Sequence, residues 1–349
     1  MANGAELARA LRQAVAEQDF AATPDSLQAG AAVGVHPSID LAVAAFPPGR
    51  APVWANVLFS PEHPQGVIAE LGAEAGSAAN LRYDRDLQGP SGDSVAWLPG
   101  ADWSRLPWLP LAGAGPLRFV APYPASLLKL MVAVGVAMAV DRGLCAWPAA
   151  LEPMIVISDN EATDRCIALL HRVGFVETLN RRLAELGLAT LQLNNTTSAG
   201  GWRNGNGSGV GHIHMTAWDT VRLLWLLDEA APPALWLPSG TDVLSPASRA
   251  RLREMLERQQ LDHVLSSGTL RGLPGWLPGL PDAPAFAHKT GTTDNYASDA
   301  GIVQMGDTHY IVAVLTSLGR RYAPHADCAT SWRLPALGAA VHRLMEDLR

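Results

Sequence analysis

One stretch constrains the fold more than any other. Residues 126–143, SLLKLMVAVGVAMAVDRG, are apolar on nearly every side of a helix, and Gly143 ends the pattern. Such a helix is buried by other elements of a globular fold, and it is too short to span a bilayer. We therefore expect the chain to fold around a central helix that begins at or near Ser126.

Helical and strand-like patterns follow a clear order along the chain. Periodicity and start signals predict helices at 4–18, 160–171, 175–186, 217–228, 246–258 and 334–348. Strands are predicted at 52–60, 285–290, 300–305 and 310–316. The order is thus a terminal helix, strand material, helices, strands and a second terminal helix.

Composition and charge narrow the class of function. The chain has 349 residues, of which 48% are hydrophobic and 17% are charged, as in an ordinary folded protein. The net charge of −7 argues against nucleic acid or an anionic membrane as a partner. No motif indicates a cofactor or a metal, and three cysteines cannot form a disulfide framework. Charges interrupt any apolar leader, so we expect a cytoplasmic protein, or a periplasmic or secreted one if a leader was removed.

The use of lysine is the most informative compositional feature. Of the 26 basic residues, 24 are arginine, and the two lysines are Lys129 and Lys289. Arginine is always protonated in proteins, whereas a buried lysine can lose its proton and act as a base. The two lysine positions are therefore candidates for chemistry that arginine cannot perform.

Three short motifs surround these lysines. They are Ser126-Leu-Leu-Lys129, Ser158-Asp-Asn160 and Lys289-Thr290-Gly291, in that order along the chain. Serine-x-x-lysine, serine-aspartate-asparagine and lysine-threonine-glycine are the signatures of class A β-lactamases and penicillin-binding proteins. Over roughly residues 115–349, the sequence resembles this superfamily of active-site serine hydrolases.

The resemblance implies a role for each residue. Residues three apart share a helix face, so Lys129 can sit beside the Ser126 hydroxyl and act as its base. By analogy, Ser158 would relay a proton to the leaving group and Asn160 would hold the substrate amide. Lys289 and Thr290, followed by Gly291, would bind a substrate carboxylate, and the backbone N–H groups of Ser126 and Thr292 would form the oxyanion hole.

Each motif alone has a plainer interpretation. The first could be a helix start with a nearby lysine, and Ser158-Asp-Asn-Glu161 also fits a capping box. The third could be a strand end entering a turn. All three in family order, using both lysines of the chain, make coincidence a poor explanation.

Two departures from the class A pattern concern deacylation and the shape of the cleft. Leu188–Thr216, where class A enzymes carry the glutamate that activates the deacylating water, contains neither Asp nor Glu. His212, His214, Lys129 or Ser158 are the alternatives for that task, although the two histidines are more simply surface or hydrogen-bonding residues. The interval from Ser126 to Ser158 is also short, which predicts an open cleft unless residues 86–116 close it.

These observations and the resemblance predict an α+β fold. An antiparallel sheet with the terminal helices would comprise residues 1–120 and 284–349, and a helical lobe, 121–283, would carry Ser126 and Ser158. The predicted function is cleavage of an ester or amide, including a β-lactam, through an acyl-enzyme on Ser126. The alternatives are a true β-lactamase, a D-amino-acid peptidase or acyl transferase, and a β-lactam-binding module that is acylated without turnover.

Overall fold

The structure is a computed structural model that describes residues 3–86, 108–201 and 213–348. Its α-helices are α1 (Gly4–Ala16), α2 (Lys129–Asp141), α3 (Leu151–Val156), α4 (Asn160–Arg172), α5 (Val176–Glu185), α6 (Ala217–Leu227), α7 (Pro246–Glu257) and α8 (Arg333–Glu346). Its strands are β1 (Pro24–Asp25), β2 (Ala31–Ala32), β3 (Ile39–Ala45), β4 (Val53–Phe59), β5 (Val67–Ile68), β6 (Leu81–Asp86), β7 (Trp108–Gly113), β8 (Leu117–Val120), β9 (Phe286–Thr292), β10 (Ala297–Met305) and β11 (Thr308–Thr316).

Strands from both ends of the chain build the main sheet. Its order is β5-β4-β3-β11-β10-β9, and every neighbouring pair is antiparallel. The predicted α+β class with an antiparallel sheet is therefore confirmed. Strand β9 lies at one edge of this sheet, opposite β5, and it carries Lys289. The division into lobes at residues 121 and 283 stays a prediction.

The sheet is covered on both faces. Side chains alternate between the faces of a strand, and those of β11 divide between two hydrophobic clusters. Tyr310, Val312 and Val314 pack with residues of α1 and α8. Ile311, Ala313 and Leu315 pack with residues of α2, α4 and α6. The terminal helices thus shield one face, and the other face supports the helices that lead to the motifs.

The central helix α2 is buried, as its sequence predicts. Its residues from Lys129 to Ala139 have little contact with solvent. At Gly135 the helix touches α5 so closely that a Cβ atom would lie 2.8 Å from the Leu179 side chain. Among the described residues, no helix is long and apolar enough to cross a membrane.

A small second sheet precedes this helix. Its order is β7-β6-β8, with β6 and β8 parallel. Strand β8 ends at Val120, so the chain passes from this sheet almost directly into the turn that carries Ser126. Of residues 86–116, whose closure over the cleft would contradict the predicted open site, 87–107 lie outside the described residues, so the open cleft stays a prediction.

Candidate active site

The turn that carries Ser126 is anchored to β10, the strand next to the edge of the main sheet. Ala125 has a φ of 50°, a left-handed conformation that residues other than glycine rarely adopt. A 3₁₀ turn, Ala125–Leu128, follows, and α2 continues directly from it. Ser298 of β10 donates a hydrogen bond of 2.5 Å to the carbonyl oxygen of Pro124. Ser126 therefore stands at the start of a buried helix, where N–H groups and the helix dipole favour negative charge.

Gly291 allows β9 to approach this turn closely. A Cβ atom at Gly291 would lie 2.5 Å from the Pro124 carbonyl oxygen and 2.7 Å from the Leu127 nitrogen. Both are backbone atoms, which cannot move aside as the end of a flexible side chain can. The absence of a side chain at position 291 thus sets the width of the gap between the serine turn and the lysine-bearing strand.

Lys129 binds the second motif. Its Nζ donates to Asn160 Oδ1 at 2.8 Å, to Ser158 Oγ at 3.0 Å and to the Ser158 carbonyl oxygen at 2.5 Å. Ser126 is half-buried one helical turn earlier, and its hydroxyl makes no hydrogen bond within the described parts of the chain. The ammonium group is thus held by the second motif in this structure, and the Ser126 hydroxyl is left unpaired.

The loop before α4 directs Ser158 into the site. Ser158 has a φ of 59°, again in the left-handed region. Asp159, not Ser158, is the N-cap of α4, because its side chain accepts a hydrogen bond of 2.6 Å from the Ala162 nitrogen. The capping interpretation of this motif therefore applies to the aspartate, and the serine hydroxyl is available for other contacts.

Lys289 meets the same hydroxyl from the sheet. Its Nζ donates to Ser158 Oγ at 2.9 Å and to the Thr290 carbonyl oxygen at 2.8 Å. A hydroxyl oxygen has two lone pairs, so Ser158 can accept from Lys129 and Lys289 together and still donate its own proton. The structure thus brings both lysines of the chain to one serine.

Burial weakens the basicity of both amines. Lys129 is 1% exposed, and desolvation lowers its pKa to about 8, although the charges of Asp159 and Asp164 oppose the shift. Lys289 is fully buried, and desolvation lowers its pKa well below the usual value, with the positive charge of Lys129 acting in the same direction. A neutral amine at Lys129 is therefore accessible near neutral pH.

The end of β9 brings in a histidine that the sequence did not single out. Thr290 is buried, and Thr292 Oγ1 lies 3.3 Å from His263 Nε2. Desolvation lowers the pKa of His263 to about 3, and the positive charges of Lys289 and Arg320 add to the shift. His263 is therefore neutral at pH 7, beside the residue expected to form the oxyanion hole. Nothing in the local sequence marks it, because only folding places it near Thr292.

A buried charged cluster lies behind Lys289. His288 Nδ1 is 2.7 Å from Asp299 Oδ1, and its Nε2 is 3.0 Å from Asp262 Oδ1. Burial alone would lower the pKa of His288, but the charges and hydrogen bonds of Asp299 and Asp262 outweigh it and raise the pKa to about 9. His288 is thus an imidazolium at pH 7, fully enclosed, and it fixes the strand position next to Lys289.

Not all of the candidate residues for activating the deacylating water lie in the described parts of the chain. His212 lies outside the described residues. His214 is buried and its backbone pairs with that of Gln192, with N–O distances of 3.0 Å. Within residues 3–86, 108–201 and 213–348, no group of three His, Cys, Asp or Glu side chains could hold a metal ion. Asp164, an acid on α4 that no sequence motif marks, also acts on Lys129 through its charge.

Comparisons with known proteins bear on the family and the fold of the chain. A family profile described as the beta-lactamase enzyme family matches residues 147–330, more than half of the chain. A search of curated protein sequences finds no significant match. Two solved structures show a similarity that concerns the fold alone.

A PBP-A mutant, in an acyl-enzyme complex with penicillin G, is 18% identical, with a TM-score of 0.53 over 99% of this chain and 100% of that one. A β-lactamase from Sphaerobacter thermophilus is 15% identical, with a TM-score of 0.51 over 96% and 95% of the two chains.

Proposed function

Because the chain belongs to the beta-lactamase enzyme family, we propose that it is a serine hydrolase that cleaves an ester or amide through an acyl-enzyme on Ser126. One observation supports this function above the others: Lys129 and Lys289 both donate to Ser158 Oγ, at 3.0 and 2.9 Å, beside the turn of Ser126. A chain that otherwise uses arginine has its only two lysines at this point.

Lys129 supplies the base for the first step. With a pKa of about 8, about one Lys129 side chain in ten is neutral at pH 7. The neutral amine takes the proton of Ser126 Oγ, and the oxygen attacks the substrate carbonyl carbon. The backbone N–H groups of Ser126 and Thr292 stabilise the oxyanion that forms.

Ser158 carries the proton onward. Its hydroxyl accepts from both ammonium groups and therefore points its own proton out of the lysine pair, toward the leaving group. When the tetrahedral intermediate collapses, Ser158 gives this proton to the leaving oxygen or nitrogen, and Lys129 restores it. The acyl group remains on Ser126 until water removes it.

The residues of β9 that face the serine turn, here called the far wall of the cleft, determine which charged groups of a substrate can bind. Lys289, Thr290 and Thr292 lie on β9 and offer one cation and two hydroxyls. An anionic group such as the carboxylate of a β-lactam or of a D-amino-acid peptide suits this wall. Asn160 remains as the partner for a substrate amide, since its Oδ1 accepts from Lys129 and its amide NH₂ can donate elsewhere.

Steady-state hydrolysis of p-nitrophenyl acetate and of nitrocefin tests the role of the base. Lys129→Arg keeps the positive charge but cannot lose its proton, so kcat/KM should fall by about 100-fold or more for both substrates. The kcat/KM of Lys129→Met, which also lacks a base at this position, should fall by the same factor. Circular dichroism verifies that this variant is folded. Hydrolysis by the arginine variant at the wild-type rate would contradict the proposal.

The ratio of the two activities separates the alternatives. An esterase turns over the p-nitrophenyl ester and clears nitrocefin slowly, whereas a β-lactamase turns over both. A module that is acylated without turnover would release one equivalent of product and then stop. This alternative deserves the test because Leu188–Thr216 contains no acid that could activate water.

A further inference from the structure

Asp164 lies one helical turn beyond Asn160 on α4. Residues four apart share a helix face, so Asp164 lies on the same side of α4 as the amide that binds Lys129. Its negative charge is one of two that act on Lys129, the other being that of Asp159. A carboxylate therefore acts on the amine, although Leu188–Thr216 contains none.

The carboxylate of Asp164 is uncommitted. The other two acids of this region have partners: Asp159 caps α4, and Glu161 is exposed and lies 3.8 Å from Arg165. Asp164 is half-buried, and its carboxylate makes no hydrogen bond within the described parts of the chain. A half-buried carboxylate without a donor is costly, which makes water or substrate its natural partner.

A turn that ends in two glycines packs against Asp164. The chain turns at 197–201, where the Thr197 nitrogen donates to the Gly201 carbonyl oxygen at 3.1 Å. Gly201 has a φ of 70°, and a Cβ atom there would lie 3.2 Å from Asp164 Oδ1. Because glycine stands at this position, the backbone of the turn approaches the carboxylate and residue 201 places no side chain against it.

We propose that Asp164 is the general base that activates the water which hydrolyses the acyl-enzyme. This inference rests on the proposed acylation of Ser126. The water gives one proton to the Asp164 carboxylate while its oxygen bonds to the acyl carbon. The C–O bond to Ser126 then breaks, the serine oxygen regains a proton, and the carboxylic acid is released. Desolvation raises the pKa of Asp164, which brings it closer to that of an efficient base at neutral pH.

A charge that only tunes Lys129 would behave differently. In that case the loss of Asp164 would lower the pKa of Lys129 and alter acylation, because the carboxylate now raises that pKa. A general base for water adds a large loss in the second half of the reaction, which a charge that only tunes Lys129 does not produce. The two roles are separated by measuring each half-reaction by itself.

The experiment uses Asp164→Asn with Glu161→Gln as the matched control. Both changes remove one negative charge from the first turns of α4, but Glu161 is 91% exposed. Acylation is followed by stopped-flow release of p-nitrophenol from p-nitrophenyl acetate, and deacylation by intact mass after removal of excess ester. Asp164→Asn should acylate within about threefold of wild type and deacylate about 100-fold more slowly, while Glu161→Gln should match wild type in both.

Clearance of the acyl-enzyme by hydroxylamine is a second measurement, and it separates a base role of Asp164 from a structural one. As a neutral amine it attacks the acyl carbon without a base, so it should clear the Asp164→Asn acyl-enzyme at the wild-type rate and yield the hydroxamate. Deacylation of this variant in water at the wild-type rate, slow clearance by hydroxylamine, or an equal loss of acylation would overturn the proposal. A wild-type protein that never becomes acylated would overturn the proposed function as well, which distinguishes the two failures.

Discussion

Lys289 Nζ lies 2.9 Å from Ser158 Oγ, so a strand at the sheet edge and the loop before α4 meet in one hydrogen bond. The two residues are separated by 131 positions in the chain. Lys129 reaches the same oxygen from α2, so the two hydrogen bonds join the sheet, α2 and the loop before α4 at one atom. The expected behaviour of the protein follows from which of these groups carries a proton.

Acylation should accelerate as the pH rises to about 8. The neutral form of Lys129 is the base, and its fraction grows about tenfold per pH unit below the pKa of about 8 and is constant above it. The rate of labelling by a fluorescent penicillin, measured from pH 6 to pH 9.5, should follow this curve and level off. A flat profile over this range would show that another group, with a pKa outside it, removes the serine proton.

Loss of the second lysine should discriminate between substrates. Lys289→Met removes the cation of the far wall but leaves Lys129 in place, so a neutral ester should be acylated within about tenfold of the wild-type rate. For a penicillin, which carries a carboxylate, the kcat/KM of Lys289→Met should be about 100-fold or more below that of wild type, because the carboxylate is left unpaired. Equal losses for the ester and the penicillin would argue that Lys289 serves the chemistry and not the carboxylate.

Closing the gap at Gly291 should impair catalysis more than folding. Gly291→Ala places a Cβ atom against the Pro124 carbonyl oxygen, so β9 must move away from the serine turn. A displacement of about 1 Å can cost about 100-fold in rate, and we expect that loss in acylation. Gly76→Ala is the control, because a Cβ atom there has its nearest contact at 3.9 Å. Normal labelling of Gly291→Ala would mean that the gap is not critical.

Stability should depend on the protonation of His288. Its pKa of about 9 in the folded protein exceeds the ordinary value of 6.5, so its contribution is complete below pH 6.5 and is lost as the pH rises through 9. His288→Gln leaves Asp262 and Asp299 without their cation and should cost on the order of 3 kcal/mol at pH 6, and less at pH 9. Urea unfolding at both pH values measures the difference.

The control for this change is His325→Gln. His325 forms an exposed contact of 3.7 Å with Asp327, and surface pairs of this kind contribute little. Its unfolding free energy should match that of wild type at both pH values. If His288→Gln loses as much stability at pH 9 as at pH 6, the buried histidine contributes by packing and not by charge.

Local signals were sufficient to predict most helices. Thr216 and Ser245 directly precede two of the predicted helices, and the structure shows both side chains accepting hydrogen bonds as N-caps of α6 and α7. The apolar pattern of α2 was likewise sufficient to predict a buried helix. These features depend on residues within a few positions of one another, which is the range over which a sequence pattern is informative.

The missed elements lack such local signals. Strand β3 lies at the centre of the main sheet and is buried at every position, so its residues show no alternation of apolar and polar side chains. Helix α3 is only six residues long, too short for a clear period. In the site, His263 and Asp164 escaped notice because their proximity to Thr292 and Lys129 arises only in the folded chain.

The most direct test of the account is intact-mass spectrometry after incubation with an activated ester and with a fluorescent penicillin. The wild-type protein should gain the mass of one acyl group, and Ser126→Ala should gain none under the same conditions. Equal labelling of Ser126→Ala and wild type would contradict the assignment of Ser126 as the nucleophile, and with it the roles derived for both lysines.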